Sequence, residues 1–218
     1  VTIRVLIVDD QALVRSGFRM LLDSSDDIDV VGEAENGAEA LERMATSPVD
    51  VVLMDIRMPV MDGVEATKRI VASGAPAHVL VLTTFDADEY VYAALRAGAS
   101  GFLLKDSRPA ELLQAIRSVA NGDAVVAPSA TRRLLDRFVP MLPTGQGRTD
   151  MRLDVLTDRE REVLVEIAKG ATNAEISATL YLAEGTVKTH IGRLFTKLHA
   201  RDRVQLVLIA YETELVKP

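Results

Sequence analysis

Val51-Val52-Leu53-Met54-Asp55-Ile56-Arg57-Met58-Pro59-Val60-Met61-Asp62-Gly63 is the stretch on which the fold turns. Four apolar residues run into one aspartate and stop, the pattern of a strand buried on both faces of a parallel sheet that delivers a carboxylate at its C-terminal end. Open α/β sheets bind ligands at that edge. Pro59 and the Asp62-Gly63 pair mark a turn, and residues 63–71 read as the helix that carries the chain back. Taken alone, Asp55 has two readings, a reactive carboxylate at the mouth of a sheet or an Asp that caps a turn.

The flanking sequence separates them. Residues 3–8 form a first apolar strand that ends in Asp9-Asp10, and residues 11–22 show helical spacing through Val14, Phe18, Leu21 and Leu22. A strand at 28–34, a helix at 37–45, the central strand at 49–54 and the helix after Gly63 follow. Residues 79–84 make a fourth strand ending in hydroxyls, 86–97 a helix, 101–104 a fifth strand ending at Lys105, and 109–120 a helix with Pro109 in its first turn. Five strands alternating with five helices predict a doubly wound five-stranded parallel sheet of the α/β class. In such a sheet all strand ends face one crevice, so Asp9, Asp10, Asp55, Thr83 and Lys105 converge there. A turn cap explains one aspartate; it does not explain three carboxylates with a lysine and a threonine at one edge.

Three carboxylates in one pocket repel one another and favour a hard divalent cation, and with water completing an octahedron, Mg2+ suits them. Magnesium, an ammonium and a hydroxyl match the oxygens of a transferring phosphoryl group, with Asp55 as the nucleophile that becomes an aspartyl phosphate.

Asp9-Asp10, the run from Asp55 through Met58-Pro59 to Asp62-Gly63, Thr83 and Lys105 resemble the receiver domain of a two-component response regulator over residues 1–126. The resemblance implies phosphoryl transfer from a sensor histidine kinase to Asp55, magnesium held by Asp10 and Asp55 with help from Asp9, Lys105 pairing with the phosphate and Thr83 moving to bond it. It also implies that Phe102, three residues before the lysine, is the aromatic that changes rotamer on activation. Asp106 stands where the family often has proline.

The chain has 218 residues, 48% of them hydrophobic, enough for one large or two small domains with a buried core. It lacks cysteine, which excludes disulfides, thiolate catalysis and a Cys-ligated zinc site and fits a cytoplasmic location. No apolar run has the length of a membrane span, and no signal-peptide pattern is present. The net charge of -7, taken whole, argues against nucleic acid as a partner, but it is uneven. Residues 1–126 hold 11 Lys+Arg against 20 Asp+Glu, whereas residues 148–203 hold 10 against 9. That asymmetry predicts two modules with different partners.

Residues 127–150 read as a linker, a helix at 129–138 followed by a stretch broken by Pro140, Pro143, Gly145 and Gly147. Residues 151–218 then read as an all-α domain. Thr157 and Glu160 make a capping box, Thr172 caps a short second helix, 181–183 are a turn, and 184–198 are a longer helix with Val187, Ile191, Leu194 and Leu198 on one face. Opposite lie Thr186, Lys188, Thr189, Arg193 and Lys197. Short helix, turn and a basic, hydroxylic helix is the plan of a helix-turn-helix, although a solvated face on a plain helical bundle has the same pattern.

This half resembles the LuxR-type DNA-binding domain through Leu156-Thr157, Arg159-Glu160, Thr172-Asn173, Thr186-Val187-Lys188-Thr189-His190 and Lys197-Leu198. Both halves together resemble a response regulator of the NarL/FixJ type. By that resemblance the partner is double-stranded DNA, with Lys188 and Thr189 at base edges or deep in the groove, and Thr172, Arg193 and Lys197 on phosphates. Asn173, Thr186 and His190 complete the expected surface. Ala183 stands where the family commonly has a serine cap, and His199 where glycine usually ends the recognition helix. The helix after Asp202, with Val204, Leu208 and Tyr211, is either core or the dimer contact.

The expected function is a transcription regulator, not an enzyme, whose phosphorylation promotes a homodimer on DNA. Two alternatives remain at this point, a magnesium phosphohydrolase, in which a second Asp would be expected where Arg57 stands, and a constitutive DNA-binding protein whose first module only dimerises. A Rossmann cofactor site fails because Val8-Asp9-Asp10-Gln11-Ala12 has no glycine-rich turn.

Overall fold

The computed structural model describes residues 2–83, 88–121 and 151–216. The expected helix at 129–138, the proline- and glycine-rich stretch after it, Thr84 and the start of the helix expected at 86 lie outside the described residues. The chain divides into two units, one ending at Val125 and one beginning at Val126.

In the first unit the strands are β1 (Ile3–Val8), β2 (Ile28–Ala34), β3 (Val51–Asp55), β4 (His78–Thr83) and β5 (Gly101–Leu104). All pair in parallel in the order β2-β1-β3-β4-β5. That order puts β3 at the centre, between β1 and β4, and Val51, Val52, Leu53 and Met54 are fully buried. The helices are α1 (Ala12–Leu22), α2 (Gly37–Thr46), α3 (Gly63–Ala72), α4 (Asp88–Arg96) and α5 (Pro109–Ala120). Leu22 of α1 and Leu112, Ala115, Ile116 and Val119 of α5 pack on the sheet face formed by Val5, Ile7, Leu53, Leu80 and Leu82. Successive strand residues alternate in facing, so Leu6, Val52 and Met54 belong to the opposite face, where α3 lies between α2 and α4.

Local chemistry sets the helix starts. Asn36 caps α2 by accepting from the N–H groups of Ala38 and Glu39, and Asp62 caps α3 by accepting from Glu65. The central strand begins two residues later than the apolar pattern suggests. Val49 is buried but precedes the ladder, and Asp50 turns aside to take both a backbone and a bidentate guanidinium contact from Arg4.

In the second unit a 3-10 turn, Met151–Leu153, precedes α6 (Asp158–Ala168), α7 (Asn173–Leu180), α8 (Glu184–Leu198) and α9 (Arg203–Glu212). Capping boxes open α6 at Thr157 and Glu160 and α7 at Thr172 and Glu175. Leu164, Ile167, Ile176, Val187, Ile191, Leu194 and Leu206 share one buried core. Val204 is buried and Tyr211 packs partly into the core, its hydroxyl reaching the Ala168 carbonyl at 3.5 Å. Val204 is thus core to this unit, while Leu208 and Tyr211 keep part of their surface exposed.

Candidate functional site

β1, β3, β4 and β5 present their C-terminal ends along one edge of the sheet, and the charged side chains gather there. Asp9, just past β1, is fully buried; Asp55, last in β3, is 6% exposed; Thr83, last in β4, is 3% exposed. The Lys105 ammonium lies 2.7 Å from Asp9 Oδ2 and 3.0 Å from Asp55 Oδ1. The Lys105 N–H also donates to the Thr83 carbonyl at 2.8 Å, which ties the ends of β4 and β5 together. Phe102 is half-buried on β5.

Each carboxylate is oriented by the backbone. Asp55 Oδ1 accepts from the N–H of Ile56 at 2.8 Å, and Asp9 Oδ1 accepts from Gln11 at 2.9 Å. The α3 helix starts hard against this edge. A Cβ at Gly63 would stand 2.1 Å from the Asp55 carbonyl oxygen, and the Gly63 N–H donates to Ile56 at 2.9 Å. Glycine is therefore required here for close approach; no unusual φ is involved.

Burial pushes the Asp55 carboxyl above its usual range; Lys105 offsets only part of that cost. Burial works against the Lys105 charge as well, but Asp9 and Asp55 outweigh it and hold the ammonium above its ordinary value. The site thus sets one cation against two acids at a mostly buried edge, so further negative charge on Asp55 calls for a second cation beside Lys105.

Asp9, Asp10 and Asp55 each offer a carboxylate oxygen, and these lie within 4.8 Å of one another. Asp9 Oδ2 is buried and faces the Lys105 ammonium, while Asp10 is exposed and opens the group to water. Hard oxygen donors with one wet side fit Mg2+. Among the described residues this acidic group is the one able to hold a metal ion.

Sequence periodicity gave no sign of Arg15. It is 7% exposed, donates to the Asp9 carbonyl at 2.7 Å and contacts Glu33 and Glu35, so it anchors the loop that carries both aspartates. Nor did it indicate Arg57, whose guanidinium stacks 4.9 Å above the Tyr90 ring and links the loop after β3 to α4.

In the second unit Thr186, Lys188, Thr189 and Arg193 are exposed on α8. Thr189 turns its hydroxyl back to the Gly185 carbonyl at 3.0 Å. Thr172 is exposed but engaged as the α7 cap, and Asn173 accepts from Arg203 at 3.0 Å. His190 is half-buried, with Nδ1 enclosed and lacking a partner. Lys197 departs from the outward face on which helical spacing sets it. Its ammonium bonds Glu160 at 2.7 Å and the Val155 carbonyl at 3.0 Å, so in this arrangement it ties α8 to α6.

Both departures at the ends of α8 have visible consequences. Ala183 gives α8 no side-chain cap, and His199 ends the helix in a left-handed conformation at φ 52°, taking the geometry that glycine would adopt more cheaply.

Residues 5–117 match the response regulator receiver domain, and residues 154–210 match the bacterial regulatory proteins of the luxR family. Two Bacillus subtilis transcriptional regulatory proteins are similar throughout. LnrK is 41% identical with 94% of this chain and 95% of LnrK covered, and LiaR is 39% identical with 98% and 99% covered. The crystal structure of ChrA, the response regulator of a heme-sensing two-component system, is 35% identical, covers 99% of both chains and superposes with a TM-score of 0.54. With a receiver sheet, an acidic site at its carboxyl edge and a helix-turn-helix after it, the chain belongs to the LuxR-type transcriptional response regulators.

Proposed function

We propose that this chain accepts a phosphoryl group on Asp55 from a sensor histidine kinase and, once phosphorylated, pairs as a homodimer that binds double-stranded DNA in the cytoplasm. The observation that carries the reading is the meeting of Asp9, Asp10, Asp55 and Lys105 at one strand edge. In the transfer, a carboxylate oxygen of Asp55 attacks the phosphorus of a phosphohistidine. The new P–O bond forms as the P–N bond breaks, and the electron pair leaves with the imidazole, which then takes a proton. Asp9, Asp10 and Asp55 would hold magnesium, which would supply positive charge to offset that on the phosphoryl oxygens.

Lys105 already faces the acceptor and can shift its contact from the Asp55 carboxylate to a phosphoryl oxygen. The aspartyl phosphate carries about 1.5 to 2 negative charges beside Asp9, where the free Asp55 carboxylate carried one. The Thr83 hydroxyl then turns toward the phosphate, and Phe102 fills the space that Thr83 vacates. On α8, Lys188 and Thr189 read base edges while Thr186 and Arg193 meet the backbone; Thr172, Asn173 and His190 border that surface, and Lys197 contributes by holding α8 in place. The chain acts as a switch and not as a phosphohydrolase, because its aspartyl phosphate is the signal itself.

Intact-mass measurement with acetyl phosphate tests the acceptor. Wild type gains one phosphate with magnesium and none with excess chelator, and Asp55→Asn gains none. Equal uptake by Asp55→Asn, or no uptake by wild type, overturns the assignment.

A further inference from the structure

Tyr181 occupies the turn between α7 and α8, directly ahead of the helix assigned to the DNA groove. It is 95% exposed, the most exposed large apolar side chain among those described. Its backbone is left-handed, at φ 55° and ψ 45°, a conformation that favours glycine and costs a bulky aromatic residue free energy. The main chain around it is fixed on both sides. The N–H groups of Tyr181 and Leu182 both donate to the Ser177 carbonyl, the Ser177 hydroxyl donates to the Leu182 carbonyl, and Arg159 donates to the Leu180 carbonyl. The fold therefore dictates the left-handed position but gains nothing from the phenol there.

Two costs without a structural return, an exposed aromatic and a strained backbone, point to a use outside the unit. In a helix-turn-helix the N-terminal end of the second helix reaches the base edges while the first helix crosses the sugar-phosphate backbone. The turn joining them stands at the groove rim. Exposed Thr186, Lys188, Thr189 and Arg193 follow on the same helix. A tyrosine supplies a flat apolar body for the deoxyribose and a hydroxyl donor for a phosphate oxygen, neither of which carries sequence information.

We propose that Tyr181 is a DNA-backbone contact, packing on a sugar and donating to a phosphate at the rim of the groove entered by α8. The inference rests on the assignment of α8 to DNA. It differs from the contacts of Lys188 and Arg193 in one measurable respect, since a neutral donor releases no counterion when it binds.

The test uses the full chain and a mixed-sequence duplex of about thirty base pairs, long enough for non-specific binding at low salt. Wild type, Tyr181→Gly, Tyr181→Phe and Lys188→Ala are titrated across a salt series, and each variant is melted. Tyr181→Gly melts at or above the wild-type temperature, because glycine relieves the left-handed strain, yet binds about five-fold more weakly with the salt slope unchanged. Tyr181→Phe loses the hydroxyl part of that effect. Lys188→Ala, which removes a cation from the groove, weakens binding with a shallower salt slope. If Tyr181→Gly binds as wild type while Lys188→Ala is impaired, Tyr181 has no such role. If Lys188→Ala and Tyr181→Gly both bind as wild type, the assignment of α8 to DNA fails and takes this inference with it.

Discussion

A methyl group at position 63 would overlap the Asp55 carbonyl oxygen, and the atoms it meets are backbone, not the yielding end of a side chain. Gly63→Ala must push the start of α3 away from the end of β3. The expected loss is about 3 kcal/mol of stability in urea unfolding, with slower uptake of phosphate from acetyl phosphate in the fraction that remains folded. Wild-type values in both assays would show that the two segments are not held as closely as described. His199 presents the reverse case, a residue in a left-handed position where glycine fits better. His199→Gly should stabilise the second unit by about 1 kcal/mol, visible as a higher urea midpoint with the same slope. A lower midpoint would mean that the histidine ring contributes packing that outweighs its backbone cost.

Among the elements, α6 and α8 are joined by one contact that helical spacing does not encode. Glu160 is 1% exposed and accepts from both its own N-cap, Thr157, and Lys197 on α8. Burial alone would raise its pKa, but these donors outweigh it and hold the carboxyl below the ordinary glutamate value. A depressed folded pKa adds stability that is present above the unfolded value and is lost as pH falls through the folded one. Glu160→Gln should therefore lower stability at neutral pH and flatten the acid limb of the unfolding curve. An unchanged acid limb would assign the acid sensitivity to other carboxylates. The same region shows what sequence can and cannot carry. The capping box at Thr157, the cap at Thr172 and the span of α8 were legible, because Ser/Thr-x-x-Glu spacing and a 3.6-residue period act locally; that Glu175 completes a second box at Thr172 came from the structure. So were β2 and β5, which are bounded by turn residues and charge. The roles of Lys197 and Arg15 were not legible, since their partners lie at Glu160 and Glu33, 37 and 18 residues away. The start of β3 was misplaced because Val49 is buried without joining the ladder.

At the scale of the whole molecule, an acidic receiver and a nearly neutral DNA-binding unit share one chain. A single copy brings few cations to a duplex, whereas a pair presents two α8 helices and twice the exposed Lys188 and Arg193. On the proposed function, phosphate-driven pairing would raise DNA affinity without any new contact inside either unit. It also sets a geometric expectation, that protected half-sites lie about one helical turn apart or a multiple of it. In the proposed function the strand edge is the switch and α8 the output, and its central claim is that phosphorylation of Asp55 controls association. The most direct test is light scattering of wild type and Asp55→Asn with magnesium, before and after acetyl phosphate. The account predicts monomer converting to dimer in wild type alone, in proportion to the phosphate incorporated. Phosphorylated wild type that remains monomeric, or Asp55→Asn that dimerises equally, would contradict it.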